Sequence, residues 1–257
     1  MHIIVYIKQT FDTEAQIAVD SNGKIDSNGV HFVVNPYDEY AIEEGVRLKE
    51  KFGGDVTVIT MGGNRAQDAL RTALAMGADK AVLIDDSALE KTDEWVTANV
   101  LTQAVASLPY DVIFTGRMAI DDGSGQVGVR VAENLHIPSV TNAVKIEINE
   151  KSAVVTQEID GGTASLEVSL PAVFTAQKGL NDPRYPSVAG MMKAKRKELK
   201  KISLTDLGLE KEKLVAKMTV GKYAVSAARQ AGKKLQGSSA QQVAELVNLL
   251  KTEVKAF

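Results

Sequence analysis

The first 116 residues alternate short aliphatic runs with longer segments in which apolar residues recur every three or four positions. This alternation predicts parallel strands joined by crossover helices, because neighbouring parallel strands need a long connection. The aliphatic runs predict strands at residues 3–7, 56–60, 81–84 and 112–115. Helices are predicted at residues 38–52, 66–76 and 94–106, with Gly53 and Gly77 at helix C-caps. The pattern is typical of a doubly wound α/β sheet.

Two regions depart from this alternation and predict antiparallel additions. Residues 15–34 form a polar insert containing Asn22-Gly23 and Asn28-Gly29, and such pairs are strong signals for hairpin turns. After Pro138, apolar and polar residues alternate, which predicts meander strands at residues 143–148, 153–159 and 164–170. The expected fold class is therefore α/β, doubly wound, with a mostly parallel sheet, antiparallel additions and an extended C-terminal arm.

The C-terminal fifth of the chain predicts an arm with one apolar face. From residue 200 to residue 240 the sequence has few apolar residues at the spacing of a buried core. A helix is then predicted at 241–254, and Gly237-Ser-Ser-Ala before it reads as a linker and N-cap. The expected organisation is a nucleotide-binding α/β domain at 1–199, with a partner-recognition loop near 176–199, and an arm at 200–257. We expect the helix to pack on a partner subunit, and folding back on its own domain is the alternative. Its apolar stripe consists of Val243, Leu246, Val247, Leu250 and Val254.

Composition argues against several classes of protein. The absence of cysteine excludes disulfides, thiolate chemistry and Cys-ligated metal clusters, and it fits a cytoplasmic protein.

No apolar run is long enough to span a bilayer, and the first eight residues read as a strand instead of a signal peptide, so we expect no direct membrane insertion. Residues 191–237 hold thirteen Lys and Arg against four Asp and Glu. Because acidic residues interrupt this basic stretch and aromatics are few, we expect no nucleic-acid binding.

The titratable residues form no pattern typical of a catalytic or metal site. His2, His31 and His136 lack the spacing of metal ligands or of a nucleophile and its base, so we expect each to be structural or solvent-facing. The pairs Asp85-Asp86 and Asp121-Asp122 could bind Mg²⁺, but helix and loop caps are the commoner reason for such pairs. We therefore expect no metal site and no catalytic residues.

A glycine-rich segment before a helix predicts a phosphate site. Residues 121–128 read Asp-Asp-Gly-Ser-Gly-Gln-Val-Gly, in which the glycines allow close approach of a phosphate and the helix start favours its negative charge. Ser124 and Gln126 add side-chain donors. The G-x-G-x-x-G pattern alone suggests an NAD enzyme, but it follows the fourth strand instead of the first and lacks the acidic strand end. A nucleotide with a phosphate is expected, with a structural glycine turn as the alternative.

The ends of the strands locate this predicted site. Ligands of an open α/β sheet bind at the carboxyl ends of its strands. We therefore expect the ligand site to be formed by the loops that begin at Lys8, Met61, Asp85 and Gly116. Asn35 precedes the first helix. Its side chain either caps that helix or offers its amide to a base or ribose.

Residues 170–199 join a predicted strand to a stiff loop and then to a basic run. Pro183 and Pro186 flank Arg184 and Tyr185, and the stiffened segment holds the apolar Leu180. An apolar residue on a pre-ordered loop loses little entropy on docking, which favours a protein contact, although Leu180 could also pack in its own domain. The following basic residues could steer an acidic partner or simply be solvated. They are Lys193, Lys195, Arg196 and Lys197.

Four ordered segments resemble the electron-transfer flavoprotein β subunit, and the resemblance runs from residue 3 to about residue 199. It implies the β half of a heterodimer whose α subunit holds most of an FAD. Such a pair accepts electrons from acyl-CoA dehydrogenases and passes them to a quinone oxidoreductase, with no catalytic residue in the β subunit. The segments begin Asn35-Pro-Tyr-Asp-Glu-Tyr, Leu70-Arg-Thr-Ala-Leu-Ala, Gly116-Arg-Met-Ala-Ile-Asp and Leu170-Pro-Ala-Val-Phe-Thr, with Asp160-Gly-Gly before the last.

The resemblance implies that AMP binds in the predicted cleft. In electron-bifurcating members the same cleft holds a second FAD. Those members tend to have a Gly-Asp-Thr type loop where this chain has Asp122-Gly123-Ser124, which favours AMP here. The implied cofactor-binding residues are Tyr6, Asn35, Pro36, Tyr37, Asp38, Met61, Gly116, Asp121, Asp122, Gly123, Ser124, Gly125, Gln126 and Val127.

The resemblance also assigns the Leu170 segment to docking, with Leu180 as the anchor for the dehydrogenase. Some members place a first-loop aromatic over the partner's flavin, and the sequence does not decide whether Phe11 or Thr13 takes that place. A flavin-free adenine-nucleotide-binding regulatory protein is the alternative function. The implied docking residues are Leu180, Asn181, Pro183, Arg184, Tyr185, Lys193 and Lys195.

Overall fold

The structure is a computed structural model that describes residues 1–89, 92–227, 229 and 231–256. Two compact units divide the chain: Met1–Ile17 with Asp26–Gly221, and Ala18–Ile25 with Lys222–Phe257. The strands are β1 His2–Tyr6, β2 Gln9–Phe11, β3 Ala18–Val19, β4 Ile25–Asp26, β5 Phe32–Val34, β6 Asp55–Met61, β7 Lys80–Ile84, β8 Val112–Gly116, β9 Ser139–Ile148, β10 Ser152–Ile159, β11 Gly162–Ser169, β12 Ala172–Ala176 and β13 Leu199–Ile202. The helices are α1 Pro36–Phe52, α2 Gln67–Met76, α3 Glu94–Val105, α4 Val127–Leu135, α5 Val188–Ala194 and α6 Ser239–Leu249.

A nine-stranded sheet runs through the larger unit in the order β11-β10-β9-β12-β8-β1-β6-β7-β13. All neighbours from β9 to β13 in this order are parallel, whereas β9, β10 and β11 form an antiparallel meander at one edge. The predicted mostly parallel sheet with antiparallel additions is therefore confirmed. The glycines at the predicted C-caps are confirmed as well, since α1 and α2 end at Gly53 and Gly77 with positive φ.

Helices cover the sheet on both faces, as in a doubly wound fold. The buried cluster on one face includes side chains of α1, α2 and α5, and the cluster on the other includes side chains of α3 and α4. Successive residues of β1 alternate between the two clusters: Ile3 and Val5 lie in the first, and Ile4 and Tyr6 in the second. Burial on both faces explains why the parallel strands read as continuous aliphatic runs.

The polar insert forms the expected antiparallel excursion. In the larger unit, β2 pairs with β5 from Gln9–Val34 to Phe11–Phe32. Both Asn-Gly pairs form turns with a positive φ at the glycine, 75° at Gly23 and 70° at Gly29. The hairpin prediction is therefore confirmed.

Strand β13 was missed by the sequence analysis. It pairs in parallel with β7, from Leu199–Ala81 to Ile202–Ile84. Beyond it, Leu204 is buried, and the segment to Ala216 continues to pack on the cluster that contains α3. The chain after residue 199 thus contributes a strand and apolar side chains to the larger unit, and the predicted division of the chain at residue 200 stays a prediction.

The smaller unit contains residues 18–25 and the end of the chain. Tyr223 donates its N–H to the Gly23 carbonyl at 2.9 Å. Helix α6 follows Ser238, whose N–H donates to Gln241 Oε1 at 2.9 Å, and a π-helical segment Leu250–Val254 continues it, which confirms the predicted helix. Val243, Leu246, Val247 and Val254 of the predicted stripe are exposed. Packing of this stripe on a partner subunit stays a prediction.

Candidate functional site

A cleft of about 230 Å³ opens at the carboxyl ends of β1, β6 and β8. Strand β1 lies between β6 and β8, so the chain changes its direction across the sheet at this point, which is where open α/β sheets bind ligands. Segments after three strands and the start of α3 supply the wall. The lining residues include Tyr6, Ile7, Lys8, Asn35, Asp38, Met61, Thr92, Asp93, Glu94, Thr97, Leu101, Thr115, Gly116, Arg117, Met118, Ala119, Asp122, Ser124, Gly125, Gln126, Val127 and Gly128.

Most of the predicted cofactor-binding residues line this cleft. Pro36, Tyr37, Asp121 and Gly123, in the structure as described, are neighbours of lining residues and do not line the cleft themselves. Contact of any of these residues with a bound nucleotide stays a prediction. Those in the lining are Tyr6, Asn35, Asp38, Met61, Gly116, Asp122, Ser124, Gly125, Gln126 and Val127.

Asp38 is a buried carboxylate that joins three segments of the cleft wall. Its Oδ2 accepts the Lys8 N–H at 2.6 Å. Its Oδ1 accepts the Gly116 N–H at 3.0 Å and an Asn35 Nδ2 hydrogen at 2.9 Å. Burial raises the pKa of Asp38 to about 7, although these three hydrogen bonds act to lower it. Asp38 therefore ties the ends of β1 and β8 to the first turn of α1.

Asn35 is also buried and connects α1 to the loop after β8. Its Nδ2 donates to Asp38 Oδ1 and to the Met118 carbonyl at 2.9 Å each, and its Oδ1 accepts the Ile120 N–H at 3.1 Å. The side chain makes no hydrogen bond that caps α1, so the capping interpretation is wrong. The amide is used instead to hold residues 118–120 in place, and both its hydrogens are engaged within the protein.

The glycine-rich loop and the start of α4 form the wall where a phosphate is predicted. Gly123 and Gly125 have φ of 67° and 62°, which favours glycine, and a Cβ on Gly128 would lie 2.5 Å from Thr115 Cγ2. The side chain at the N-cap position, Gln126, accepts hydrogen bonds from Arg130 at 2.7 and 3.1 Å and makes none that caps the helix. The first N–H groups of α4 therefore remain available to an anion in the cleft.

Lys8 lies on the rim of the cleft and was missed as a site residue. Its Nζ is 2.7 Å from Asp121 Oδ1 and 2.8 Å from Asp122 Oδ2. Asp122 also accepts the Ser124 N–H at 2.8 Å, which is the loop-cap role expected for such a pair. The sequence did place Lys8 at the start of a strand-end loop, but its contact with residues more than 110 positions away carried no local signal.

The start of α3 completes the wall, and sequence reasoning missed it. Asp93 is the N-cap of α3: its Oδ1 accepts the Val96 N–H at 2.9 Å, and its Oδ2 accepts the Lys217 and Met218 N–H groups at 2.5 and 3.0 Å. Burial acts to raise the pKa of Asp93, but these hydrogen bonds lower it below the ordinary value. Tyr6 donates its hydroxyl to the Leu101 carbonyl of α3 at 3.1 Å. An Asp directly before a predicted helix was the signal that could have identified this wall.

The remaining candidate acids and histidines lie elsewhere. His2 Nδ1 is 2.7 Å from Asp55 Oδ1, and His31 Nδ1 is 3.3 Å from Asp12 Oδ2, both at exposed positions. His136 ends α4 in the left-handed conformation. Within the described residues, no group of His, Asp and Glu side chains could hold a metal ion. Nor does any described helix have both the length and the apolar character needed to cross a membrane.

Comparison with known proteins identifies the family. The electron transfer flavoprotein domain matches residues 22–207. The electron transfer flavoprotein subunit beta of Bacillus subtilis is 45% identical over 100% of both chains. The chain belongs to the electron transfer flavoprotein family, as a β subunit. The predicted family resemblance is therefore confirmed.

Two further relatives of this chain carry other names. Protein FixA of Azotobacter vinelandii is 39% identical over 78% of this chain and 74% of its own length. Subunit CarD of the caffeyl-CoA reductase-Etf complex of Acetobacterium woodii is 38% identical over 82% of each chain. One of these two relatives is thus named as a subunit of a larger complex.

Residues 177–186 are held against α1 by hydrogen bonds and ion pairs. Arg184 binds Glu43 through Nε at 2.8 Å and Nη2 at 3.0 Å, and it binds Glu50 through Nη1 at 2.6 Å. Asn181 Nδ2 donates to the Tyr40 carbonyl and to Glu44 Oε2, both at 3.0 Å. Hydrogen bonds to Glu50 and Glu43 raise the pKa of Arg184 above its usual range. The loop is therefore stiff, as its prolines predict.

Among the implied docking residues, Tyr185 projects from this region, whereas Leu180, the expected anchor, does not. Leu180 is half-buried and packs against the core cluster that contains α1. Tyr185 is 95% exposed, and Val188, Met191 and Met192 on and beside α5 are exposed too. We call these last four residues the apolar patch. Lys193, Lys195 and Arg196 are exposed beside it, whereas Lys197 donates to the Leu74 and Ala78 carbonyls.

The first-loop aromatic is engaged within the protein. Phe11 of β2 stacks on Phe32 of β5 with ring centres 4.8 Å apart, and Arg65 lies 4.0 Å from the Phe32 ring centre. Which first-loop residue approaches a partner's flavin stays undecided.

Proposed function

We propose that this chain is the β half of a heterodimeric electron carrier whose α subunit holds most of one FAD. The main support for this proposal is the 45% sequence identity, over the full length of both chains, to a protein named electron transfer flavoprotein subunit beta. The chain itself then supplies a scaffold, a nucleotide and a docking surface. In this proposal the electron chemistry belongs to the flavin, and the subunit acts as a carrier without catalytic residues of its own.

The cleft is the proposed site of one AMP. Support comes from the start of α4, where N–H groups and the helix dipole favour a phosphate, and from Gly123 and Gly125, which let the backbone approach it. Asp38 and Asn35 hold the wall in place through hydrogen bonds within the protein. We propose a structural role for this AMP, as the family resemblance implies. A second FAD in the same cleft is the alternative.

Acyl-CoA dehydrogenases are the proposed electron donors, and they dock on the region after β12. Exposed apolar side chains on a stiff base support this, because a pre-ordered surface loses little entropy on binding. The clamp of Arg184 on Glu43 supplies the stiffness, and exposed Lys193 and Lys195 would steer an acidic partner. We propose that the apolar patch makes the contact. Leu180, the anchor expected from the sequence, would instead stabilise the loop beside the patch by packing on the core.

The electron acceptor is proposed to be a quinone oxidoreductase, and the location cytoplasmic. The exposed stripe of α6 is proposed to pack on the α subunit, since an apolar face of this kind marks an interaction surface. Each of these assignments follows the family to which the chain belongs.

Native mass spectrometry tests the assembly and its ligands together. The full-length chain would be purified alone and after co-expression with the α-like subunit from the same genome, and the ligands would be identified after denaturing release. The expected result is a one-to-one heterodimer that releases one FAD and one AMP. Two FAD and no AMP would replace the AMP assignment with a second flavin.

A truncation supplies the control for the arm. Removing residues 238–257 deletes the exposed stripe of α6 and leaves the cleft intact. We expect this variant to lose the α subunit. A flavin-free monomer or homodimer of the intact chain in both preparations would instead favour the regulatory nucleotide-binding protein.

A further inference from the structure

Two methionines of helix α5 face solvent. The opposite side of the helix faces the body of the protein, since Ala194 is 2% exposed and a Cβ on Gly190 would lie 2.6 Å from the Ala75 carbonyl oxygen. Successive residues of a helix are about 100° apart, so Met192 lies almost opposite the packed side and Met191 lies on its flank. Their exposed fractions are 66% and 48%. Both side chains are therefore open to small molecules in solution.

The other methionines are mostly shielded from solvent. Met76 is 4% exposed, and Met1, Met61 and Met118 are half-buried. Met218 is exposed too, but it lies beyond β13 and outside the apolar patch. Oxidation of a methionine requires access of the oxidant to its sulfur. The apolar patch thus holds two of the three exposed methionines of the chain.

The two methionines supply much of the apolar area of the patch. Val188 lies one helical turn before Met192 on the same outward side and is 71% exposed. A methionine thioether is apolar and adapts its shape, which suits a contact with a partner protein. A sulfoxide at the same place is polar and chiral, so it disrupts such a contact. Because burying an unpaired polar group costs free energy, oxidation would weaken docking.

We propose that Met191 and Met192 form a reversible oxidation switch on the apolar patch. This inference rests on the proposed docking of a dehydrogenase at that patch. Hydrogen peroxide transfers one oxygen atom to the sulfur: an S–O bond forms, the O–O bond breaks and water leaves. The sulfur loses two electrons, which the peroxide gains. A thiol-dependent sulfoxide reductase reverses the step, removing the oxygen as water while two thiols become a disulfide.

Peptide mass spectrometry after graded treatment with hydrogen peroxide tests the site itself. The co-purified heterodimer is treated, the peroxide is removed with catalase, and each methionine of this chain is followed. We expect Met191 and Met192 to gain one oxygen atom each at least about tenfold faster than Met76, because their sulfurs are accessible. Oxidation of the pair no faster than that of Met76 overturns the proposal.

Flavin reduction at varied heterodimer concentration tests the consequence of oxidation. The heterodimer alone is oxidised, freed of peroxide and mixed with an untreated acyl-CoA dehydrogenase and its acyl-CoA substrate. We expect the KM of the dehydrogenase for the heterodimer to rise about tenfold, because docking is weakened. The limiting rate should stay unchanged, since the flavin is not altered. Treatment with methionine sulfoxide reductase should restore the original KM.

Two variants of this chain separate the patch from other oxidised residues of the heterodimer. Met191→Leu with Met192→Leu keeps the patch apolar, because Leu and Met have similar volumes, and peroxide should leave the KM of this double variant unchanged. Met218→Leu is the matched control, since it removes an exposed methionine outside the patch. Peroxide should raise its KM as much as that of the wild type.

The outcomes separate this inference from the function on which it rests. The switch is overturned, and the docking function left standing, if the KM is unchanged in a wild type that carries both sulfoxides. An equal rise in the oxidised wild type and the oxidised double variant has the same meaning. An untreated heterodimer that accepts electrons from no acyl-CoA dehydrogenase of the organism contradicts the docking function, and the switch with it.

Discussion

Helix α1 supports two surfaces that prepare for binding in opposite ways. At its first turn, Asp38 fixes the wall of a concave polar cleft. Farther along, Glu43 and Glu50 bind Arg184 and fix the loop that carries Tyr185 of the apolar patch. In the cleft, polar side chains bond within the protein, and the first N–H groups of α4 are proposed to bind a phosphate. Near the patch, Arg184 and Asn181 bond to α1, and the exposed apolar side chains are proposed to contact a protein.

Under the two proposals, one helix supports two kinds of recognition. A phosphate needs fixed donors, which the start of a helix provides once its loop is held in place. A transient protein contact needs exposed apolar area on a surface that is already ordered. Both demands are met by burying carboxylates of α1 against partners distant in sequence. The following variants separate the two supports.

The largest effect is expected from Asp38→Ala. It leaves the Lys8 and Gly116 N–H groups and the Asn35 amide without their acceptor, at a cost of about 3 to 5 kcal/mol in the free energy of unfolding. Nucleotide binding should be lost with it. Chemical denaturation measures the cost, and Asp68→Ala is the control, because Asp68 lies in the first turn of α2 and is exposed. Equal stability of the two variants would show that Asp38 is not a clamp.

The pH dependence of stability should be almost as large and should also come from Asp38. Its pKa is raised from 3.8 to about 7 in the folded chain, so the folded state binds more protons than the unfolded state between these values. The stabilising contribution is therefore complete below about pH 4 and is lost as the pH rises through 7, by about 2 to 4 kcal/mol. Because Asn resembles the protonated acid, denaturation series of the wild type and Asp38→Asn should lie closest at low pH and separate as the pH rises. Parallel curves would assign the slope to other groups.

A smaller effect is expected from Arg184→Ala, which acts on the other surface. It breaks the hydrogen bonds to Glu43 and Glu50 and leaves Glu43 buried without its cation, at a cost of about 2 kcal/mol. The loop around residues 182–187 should become sensitive to protease, while AMP affinity stays unchanged. Lys195→Ala, at an exposed position nearby, is the control. A loss of AMP affinity in Arg184→Ala would mean that the two surfaces are coupled through α1.

The smallest effect on stability, and the most specific on transfer, is expected from Tyr185→Ser. Because the Tyr185 side chain is almost fully exposed, stability should change by less than about 0.5 kcal/mol. Reduction by a dehydrogenase should slow about tenfold through the lost apolar contact. Leu180→Ala is the comparison, since Leu180 packs on the core and should cost about 1 kcal/mol of stability. If Leu180→Ala slows transfer more than Tyr185→Ser, the anchor expected from sequence is correct.

Much of the fold could be predicted because its strands are buried on both faces. Aliphatic runs such as Val112–Gly116 leave little choice of structure. Strand β13 was missed because its four residues include two lysines, and only pairing with β7 makes it a strand. The meander and the hairpins followed from alternation and from Asn-Gly pairs, which are local signals.

The candidate site also has parts that the sequence predicted and parts that it did not. The glycine-rich loop was found because positive φ and close backbone approach leave a local trace in the sequence. Lys8 and the true use of Asn35 were missed because each depends on partners distant in the chain. The α3 wall was missed although Asp93, directly before a predicted helix, was a local signal. Leu180 and Tyr185 are both apolar loop residues, and only tertiary packing decides which of them faces solvent.

The most direct test of the carrier function is anaerobic reduction of the flavin in the co-purified heterodimer. An acyl-CoA dehydrogenase in catalytic amount and its acyl-CoA substrate are added, and the flavin absorbance is followed by stopped flow. The account predicts rapid bleaching that requires the dehydrogenase and slows when this chain carries Tyr185→Ser. A heterodimer whose flavin stays oxidised with every acyl-CoA dehydrogenase of the organism would contradict it.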